Sequence, residues 1–196
     1  MTKRVATIER NTKETQLKVT VNLDGTGMYT GAFGVPFLEH MIDLLARHGL
    51  MDIEIEGRGD IEIDPHHTVE DLGIVIGQAI GKALGDKKGI VRMASAYVPM
   101  EETLARVVVD VCGRPYLEYR VDCGKERIGD YEVELTEDFF RSLAMQAGLT
   151  LHLELLYGKN SHHIVEALFK AFARAMRQAV ARDERETGIP STKGVL

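Results

Sequence analysis

Apolar and polar residues follow one another along this chain with two distinct periods. In residues 37–49 (FLEHMIDLLARHG), apolar side chains recur every three or four positions, which predicts an amphipathic helix. Residues 50–57 (LMDIEIEG) alternate between apolar and charged side chains, the period-two pattern of a half-buried strand. A broad apolar stripe in residues 65–84 then predicts a second helix, with Asp64 as its N-cap and Pro65 at its first position.

The same order of patterns returns in the second half of the chain. Residues 137–148 have a helical period, residues 149–158 alternate like a strand, and Asn160 can cap the helix that follows. Superposing residues 64–84 on residues 160–180 aligns two copies of the motif His-His-x-x-Glu and several apolar positions after them. Repetition over this length indicates a duplicated structural unit.

Strand-like sequence precedes each of these units. Residues 16–27 end in an Asp-Gly turn signal, and residues 105–123 are rich in β-branched side chains. The patterns predict an α+β fold, a duplicated β-β-α-β-α unit with helices packed on one face of antiparallel sheets. Because the halves share one motif, we interpret residues 1–196 as one pseudo-symmetric domain with internal halves of about 1–88 and 89–196.

Composition narrows the classes of function. A net charge of −6 disfavours nucleic acid or an anionic membrane as the main partner. Cys112 and Cys123 have no CxxC spacing, so neither a disulfide framework nor a thiolate metal site is expected. The N-terminal residues lack the apolar stretch of a signal peptide, and no apolar run approaches the ~20 residues of a membrane span. We therefore expect a cytoplasmic protein.

The duplicated His-His-x-x-Glu motif is the main candidate for chemistry. On a helix, His66 and Glu70 point the same way, and His67 lies within reach of Glu70. The two histidines diverge by about 100°, so they suit two ions or two adjacent sites better than one ion. One such motif is explained equally well by a solvated helix start with incidental histidines. Two copies at equivalent positions favour metal binding.

The repeat suggests two further ligands. His40 opens the first helix of the first half, and Asp138, or a residue next to it, holds the corresponding place in the second half. Imidazole and carboxylate donors without thiolate favour six-coordinate Mn²⁺ or Fe²⁺ over four-coordinate Zn²⁺. We expect a pair of Mn²⁺ ions per site, with Zn, Co and Fe left open. His152 has an apolar counterpart, Ile53, so we interpret it as a hydrogen-bonded structural histidine.

Several other polar residues have two interpretations. Glu14 is either a surface charge or a chemically active carboxylate, and His48 is also explained by the dipole at a helix C-terminus. Arg92 and Arg114 follow glycine-containing turns. The final residues 188–196 (GIPSTKGVL) are either a frayed tail or, together with the two arginines, a site for a phosphate monoester.

Long segments of the chain resemble the imidazoleglycerol-phosphate dehydratase family. They include FLEHMIDLLARHG, DPHHTVEDLGIVIGQAIGKALG, PMEETLARVVVDVCGRPY, FFRSLAMQAGLTLHLELLYGKNSHHIVEALFKAFARAM and GIPSTKGVL. The resemblance spans nearly the whole chain and is that of the monofunctional form. It implies ferredoxin-like halves (a ribosomal protein S5 domain 2-like fold) and a homo-oligomer of 24 subunits with two Mn²⁺ ions in each active site, built between subunits.

The resemblance also implies roles for individual residues. The implied metal ligands are His40, His66, His67, Glu70, His162, His163 and Glu166, with Asp138 at a position where the family often has histidine. Glu14 is implied to be the acid/base residue. The implied substrate-binding residues are Glu14, His48, Arg92, Arg114, Lys170, Ser191 and Lys193. Glu101 stands where the family more usually has aspartate, and we assign it no catalytic role.

The implied reaction is the dehydration of D-erythro-imidazole-glycerol phosphate to imidazole-acetol phosphate in L-histidine biosynthesis. The expected mechanism uses an imidazolate form of the substrate bound to two Mn²⁺ ions. Two alternatives remain. A dinuclear metallohydrolase of a small phosphorylated substrate accounts for the metal motifs and the arginines, and a metal-storage or scaffold protein accounts for the motifs alone.

Overall fold

The computed structural model describes residues 3–124 and 126–196, which form two similar halves. The first half contains β1 (Val5–Asn11), β2 (Thr15–Asn22), β3 (Tyr29–Gly31), α1 (Pro36–Gly49), β4 (Asp52–Gly59) and α2 (His66–Leu84). The second half contains β5 (Met93–Met100), β6 (Thr103–Asp110), β7 (Tyr116–Arg120), the short strands β8 (Arg127–Ile128) and β9 (Tyr131–Glu132), α3 (Leu135–Ala147), β10 (Thr150–Tyr157) and α4 (Ser161–Ala179).

The two halves have the same sheet topology. The strand order is β1-β2-β4-β3 in one sheet and β5-β6-β10-β7 in the other. All neighbours are antiparallel except the parallel pairs of β3 with β4 and of β7 with β10. The predicted α+β duplication is confirmed. Each four-stranded sheet has one strand more than the β-β-α-β-α pattern, and the second half also contains the two-stranded sheet β8-β9. β3 has only three residues, too few for an alternating pattern to reveal it.

The helices of one half pack against those of the other. α2 lies on β1 and β2 and contacts α3, while α4 lies on β5 and β6 and contacts α1. The α2–α3 contact is close: a β-carbon at Gly73 would lie 2.6 Å from the carbonyl oxygen of Phe139, and one at Gly77 would lie 2.6 Å from that of Leu143. Glycine is therefore required on this face of α2, and the contact brings the start of α3 to the start of α2.

The α2 helix begins at His66, one residue later than predicted. Pro65 is the cap residue rather than the first helical residue, since its ψ is −4° and its carbonyl accepts the Val69 N–H at 3.0 Å. Asp64 still caps the helix through its side chain, which accepts the His66 N–H at 2.7 Å. The prediction for α4 is confirmed, because the side chain of Asn160 accepts the His162 N–H at 3.0 Å.

Apolar side chains fill the space between the sheets and the helices. Phe139, Phe140, Phe169 and Phe172 form an aromatic cluster between α3 and α4, with ring centroids 4.7 to 5.4 Å apart. This cluster packs α4, which carries the second histidine doublet, against α3. Within the described ranges, none of the helices combines the length and the apolarity that a bilayer crossing requires.

Candidate functional site

Three predicted metal ligands meet where α1 packs on α4. The Nε2 atom of His162 lies 3.0 Å from Oε2 of Glu166, and Nε2 of His40 lies 3.5 Å from the same oxygen. One possible ligand atom from each residue lies within 4.8 Å of the others. We name His40, His162 and Glu166 the His162 group. Two imidazole nitrogens and one carboxylate oxygen at this spacing form a donor set that fits a divalent cation.

Two predicted substrate-binding residues, Lys170 and His48, lie beside the His162 group. Burial alone would raise the pKa of the Glu166 carboxyl. The ammonium group of Lys170 and, to a smaller extent, His162 and His40 lower this pKa by more, so it lies below its ordinary value. Burial lowers the pKa of His48, and the nearby Lys170 lowers it further. The structure therefore brings a carboxylate, imidazoles and an ammonium group together on one face of α1 and α4.

A similar arrangement occurs where α3 packs on α2. Nδ1 of His66 lies 3.8 Å from Oδ2 of Asp138. Glu70, one turn further along α2, is exposed and makes no ion pair with the described residues. We name His66, Glu70 and Asp138 the His66 group. The structure brings two of its members together and leaves Glu70 outside the contact.

Both groups combine residues of the two halves. His40 belongs to the first half and contacts the second motif, whereas Asp138 belongs to the second half and contacts the first motif. The rings within each doublet lie 6.2 and 6.3 Å apart at interplanar angles of 81° and 84°. The adjacent histidines consequently have different neighbours, as their predicted divergence requires.

The second histidine of each doublet contacts a carboxylate through its Nδ1 atom. Nδ1 of His67 lies 3.1 and 3.2 Å from the two carboxylate oxygens of Asp60, and its Nε2 lies 4.0 Å from Oε1 of Glu14. Nδ1 of His163 lies 2.7 Å from Oε2 of Glu102. The structure thus places the predicted acid/base residue Glu14 next to a predicted metal ligand.

These contacts shift the pKa of both histidines and of Glu102. The hydrogen bond with Asp60 raises the pKa of His67, and the hydrogen bond with Glu102 raises the pKa of His163. The contact with His163 and the backbone N–H groups that precede α4 lower the pKa of Glu102 to about 2. Glu102 is therefore an ionised carboxylate beside the His163 ring.

Sequence reasoning missed Asp60 and Glu102. A signal for Glu102 is present in the repeat, since it precedes the buried Thr103 at the start of β6 as Glu14 precedes the buried Thr15 at the start of β2. Asp60 lies in the loop between β4 and α2, where no periodic pattern marks it.

Arg92 contacts the C-terminal segment rather than the histidines. Its Nε and Nη2 atoms donate to Asp110 at 2.8 and 3.0 Å, and its Nη1 donates to the carbonyl oxygen of Pro190 at 2.7 Å. The hydrogen bond with Asp110 raises the pKa of Arg92. Ser191 and Lys193 follow directly, and the Lys193 N–H donates to Oγ of Ser191 at 3.2 Å. Arg92 therefore holds the segment that carries two other predicted phosphate ligands.

The predicted phosphate-binding residues and metal ligands lie at opposite ends of the same elements. Arg92 lies just before β5 and Glu102 just after it. The eight residues of this strand span roughly 25 Å, which separates the two ends. His162 lies in the first turn of α4, and the C-terminal segment follows the end of this helix. The nineteen residues of α4 span about 28 Å. One copy of the chain does not bring Arg92 and His162 to the same small substrate.

Arg114 and His152 complete the predicted set. Nη1 of Arg114 donates to the carbonyl oxygen of Cys112 at 3.5 Å, in the turn between β6 and β7. His152 is exposed on β10, with its ring 6.1 Å from that of Tyr116. Its side chain makes no hydrogen bond within the described residues, so the interpretation as a hydrogen-bonded structural histidine is wrong.

Comparisons with known proteins agree on one family. The sequence profile of the imidazoleglycerol-phosphate dehydratase family matches residues 33–176. The chain is 57% identical over 194 residues to the imidazoleglycerol-phosphate dehydratase of Paraburkholderia phytofirmans, covering 98% of this chain and 100% of the relative. It is 56% identical over 193 residues to that of Pelobacter propionicus, covering 98% and 99%.

Two crystal structures of imidazoleglycerol-phosphate dehydratases have similar folds. The structure from Staphylococcus aureus subsp. aureus N315 superposes with a TM-score of 0.84 at 42% identity, over 91% of this chain and 99% of that chain. The structure from Pyrococcus furiosus, in complex with (S)-C348, gives a TM-score of 0.81 at 33% identity, over 96% and 100%. The similarity thus extends from sequence to topology.

Proposed function

Because the chain belongs to the imidazoleglycerol-phosphate dehydratase family, we propose that it carries out this family's hydro-lyase reaction with two Mn²⁺ ions per active site. The family is that of a dehydratase of histidine biosynthesis. The proposed reaction converts D-erythro-imidazole-glycerol phosphate to imidazole-acetol phosphate. The observation that carries the proposal is the His162 group, in which two imidazoles and a buried carboxylate come within 4.8 Å.

The proposed ligands are the members of the His162 and His66 groups together with His67 and His163. Nitrogen and oxygen donors without thiolate suit Mn²⁺. When bound, the two metal ions would act as Lewis acids and stabilise negative charge on the imidazole ring of the substrate. Glu166 reaches this role already ionised, because Lys170 holds its pKa low.

Glu14 is the proposed proton-transfer residue. Its carboxylate projects from the turn between β1 and β2, is about half exposed and lies 4.0 Å from His67. Thr12 fixes this turn, since its hydroxyl oxygen accepts the backbone N–H groups of Glu14 and Thr15 at 3.1 and 2.9 Å. Removing the side-chain proton of the substrate as the hydroxyl group departs leaves an enol, which tautomerises to the ketone product.

Substrate phosphate is proposed to bind Arg92, Arg114, Ser191 and Lys193, with His48 and Lys170 nearer the metal. The separation of roughly 25 Å along β5 supports a site completed by a second copy of the chain. We therefore propose a homo-oligomer, of 24 subunits as the family resemblance implies, with active sites shared between subunits. Arginine suits the phosphate because its guanidinium group donates two parallel hydrogen bonds.

Exchange of Glu14 for glutamine separates proton transfer from metal binding. Glu14→Gln should retain the Mn²⁺ content of the wild-type chain and lose at least about a hundredfold in kcat, the usual contribution of a general base. Product is measured by the absorbance of the enolised ketone and metal by elemental analysis. Lys13→Gln in the same turn is the control. Wild-type rates in Glu14→Gln would remove this residue from the mechanism, and release of inorganic phosphate would favour the metallohydrolase.

A further inference from the structure

The second histidine of each doublet has a carboxylate beside its Nδ1 atom, and this carboxylate is not one of the proposed metal ligands. In each, Nδ1 faces a carboxylate: His67 faces Asp60 at 3.1 and 3.2 Å, and His163 faces Glu102 at 2.7 Å. The two carboxylates come from different places in the pseudo-symmetric fold. Asp60 follows β4, whereas Glu102 lies in the turn between β5 and β6. Duplication of one ancestral contact therefore does not account for the shared geometry.

Other hydrogen bonds hold the Glu102 carboxylate in place, and the Asp60 carboxylate is largely buried beside His67. The Oε1 atom of Glu102 accepts the backbone N–H groups of Lys159 and Asn160 at 3.2 and 2.9 Å and the hydroxyl of Thr103 at 3.1 Å. This leaves Oε2 for His163. The side chain of Asp60 is only 15% exposed, and both of its oxygens lie within hydrogen-bond distance of the His67 ring.

We propose that Asp60 and Glu102 are positioning residues that accept a hydrogen bond from Nδ1 of His67 and His163 and so present Nε2 of each ring to a divalent cation. A neutral imidazole carries one proton, so a carboxylate that accepts the Nδ1–H leaves the lone pair on Nε2. The carboxylate also fixes the orientation of the ring and makes Nε2 a better donor. The inference rests on the proposed function, because it requires His67 and His163 to bind metal.

The test measures metal affinity on the full-length protein in the assembly it forms. Metal is removed from wild type, Asp60→Ala, Asp60→Asn, Glu102→Ala and Glu102→Gln, and Mn²⁺ alone is returned in competition with a chromogenic chelator. Loss of such a carboxylate typically weakens metal binding about 10- to 100-fold. We expect this loss for both alanine variants and a smaller one for the amide variants, whose carbonyl oxygen accepts a hydrogen bond more weakly.

Control variants separate positioning from general effects of charge and folding. Glu62→Gln removes a carboxylate from the loop that also carries Asp60, and Glu118→Gln removes one from β7 in the other half. Both should bind Mn²⁺ as wild type does. Visible spectra of the Co²⁺-loaded proteins provide a second readout, which should change in the Asp60 and Glu102 variants. Asp60→Glu and Glu102→Asp should recover part of the affinity.

The outcomes distinguish this inference from the proposed function. If wild type binds Mn²⁺ and the alanine and amide variants bind it equally tightly, Asp60 and Glu102 do not position ligands, and the proposed function stands. Loss of one whole ion per chain in Glu102→Ala, without a change in the affinity for the other, would make Glu102 a ligand and overturn its positioning role. A wild-type chain that binds no divalent cation would overturn both.

Discussion

Gly77 lies at the closest approach of α2 to α3, and its replacement by alanine should destabilise the protein. The new β-carbon would lie 2.6 Å from the carbonyl oxygen of Leu143 and 2.9 Å from Cβ of Gln146. Backbone atoms of α3 cannot rotate away, so the helices must separate. Overpacking of this kind costs about 1–3 kcal/mol, which opposes the gain of roughly 1 kcal/mol from placing alanine instead of glycine in a helix.

Gly81, one turn further along α2, is the matched control. A β-carbon there would lie 3.4 Å or more from its nearest neighbours in α3, an ordinary contact distance. Gly81→Ala therefore keeps the gain in helix propensity without the clash. At fixed protein concentration, a net cost of up to about 2 kcal/mol should lower the thermal midpoint of Gly77→Ala by up to roughly 8 °C, at about 2–4 °C per kcal/mol. The midpoint of Gly81→Ala should rise by roughly 2–4 °C.

The α2–α3 contact also connects stability to the site. Separation of the two helices increases the distance from Oδ2 of Asp138 to Nδ1 of His66, which is now 3.8 Å. Gly77→Ala should consequently weaken Mn²⁺ binding as well as lower the midpoint, whereas Gly81→Ala should leave metal binding unchanged. Thermal unfolding followed by circular dichroism and chelator competition measure the two effects. Equal midpoint changes in the two variants would refute the packing argument.

Two other substitutions test contacts away from the histidines. Arg4 donates hydrogen bonds to Asp24 and holds the pKa of that carboxyl below its ordinary value. The pair therefore stabilises the folded state fully above the unfolded-state pKa of about 4. This contribution is lost as the pH falls through the lower folded-state pKa. Asp24→Asn should therefore lower the thermal midpoint at neutral pH, and its difference from wild type should vanish in acid; a constant difference would contradict the pair. Arg92→Lys loses the paired hydrogen bonds to Asp110 and the contact with Pro190, so we expect KM to rise roughly tenfold or more and the C-terminal segment to be cut faster by trypsin. Arg106→Lys on β6 is the control and should change neither KM nor the rate of cutting. The same unchanged values for Arg92→Lys would show that Arg92 neither holds this segment nor binds phosphate.

The fold was largely predictable because it rests on local periodicity and on repetition. The helical and alternating patterns locate α1, β4, α2, α3, β10 and α4 to within about two residues, and the two motifs reveal the duplication. No predicted strand segment covers β1, β3 or β5, and β7 was not separated from β6 within the predicted stretch 105–123. β3 has only three residues and pairs along its length with β4, so tertiary contacts rather than its own pattern define it.

The candidate site was predictable in its members but not in their grouping. Helical spacing shows which side chains share a face of one helix, but it does not show which helix packs against that face. Consequently the contact of His40 with the second motif and of Asp138 with the first appears only in the structure. Asp60 and Glu102 lie in connections between regular elements, where periodicity marks neither of them. Only Glu102 could have been found, from its alignment with Glu14 in the repeat.

Diffraction from crystals of the Mn²⁺-loaded protein, with data collected on both sides of the manganese absorption edge, tests the central claim most directly. We expect two anomalous peaks per chain, one of them in contact with His40, His162 and Glu166. The Nε2 atoms of His67 and His163 should point at manganese while their Nδ1 atoms remain on Asp60 and Glu102. Fully loaded, active crystals with no anomalous peak at the histidine doublets would contradict the account.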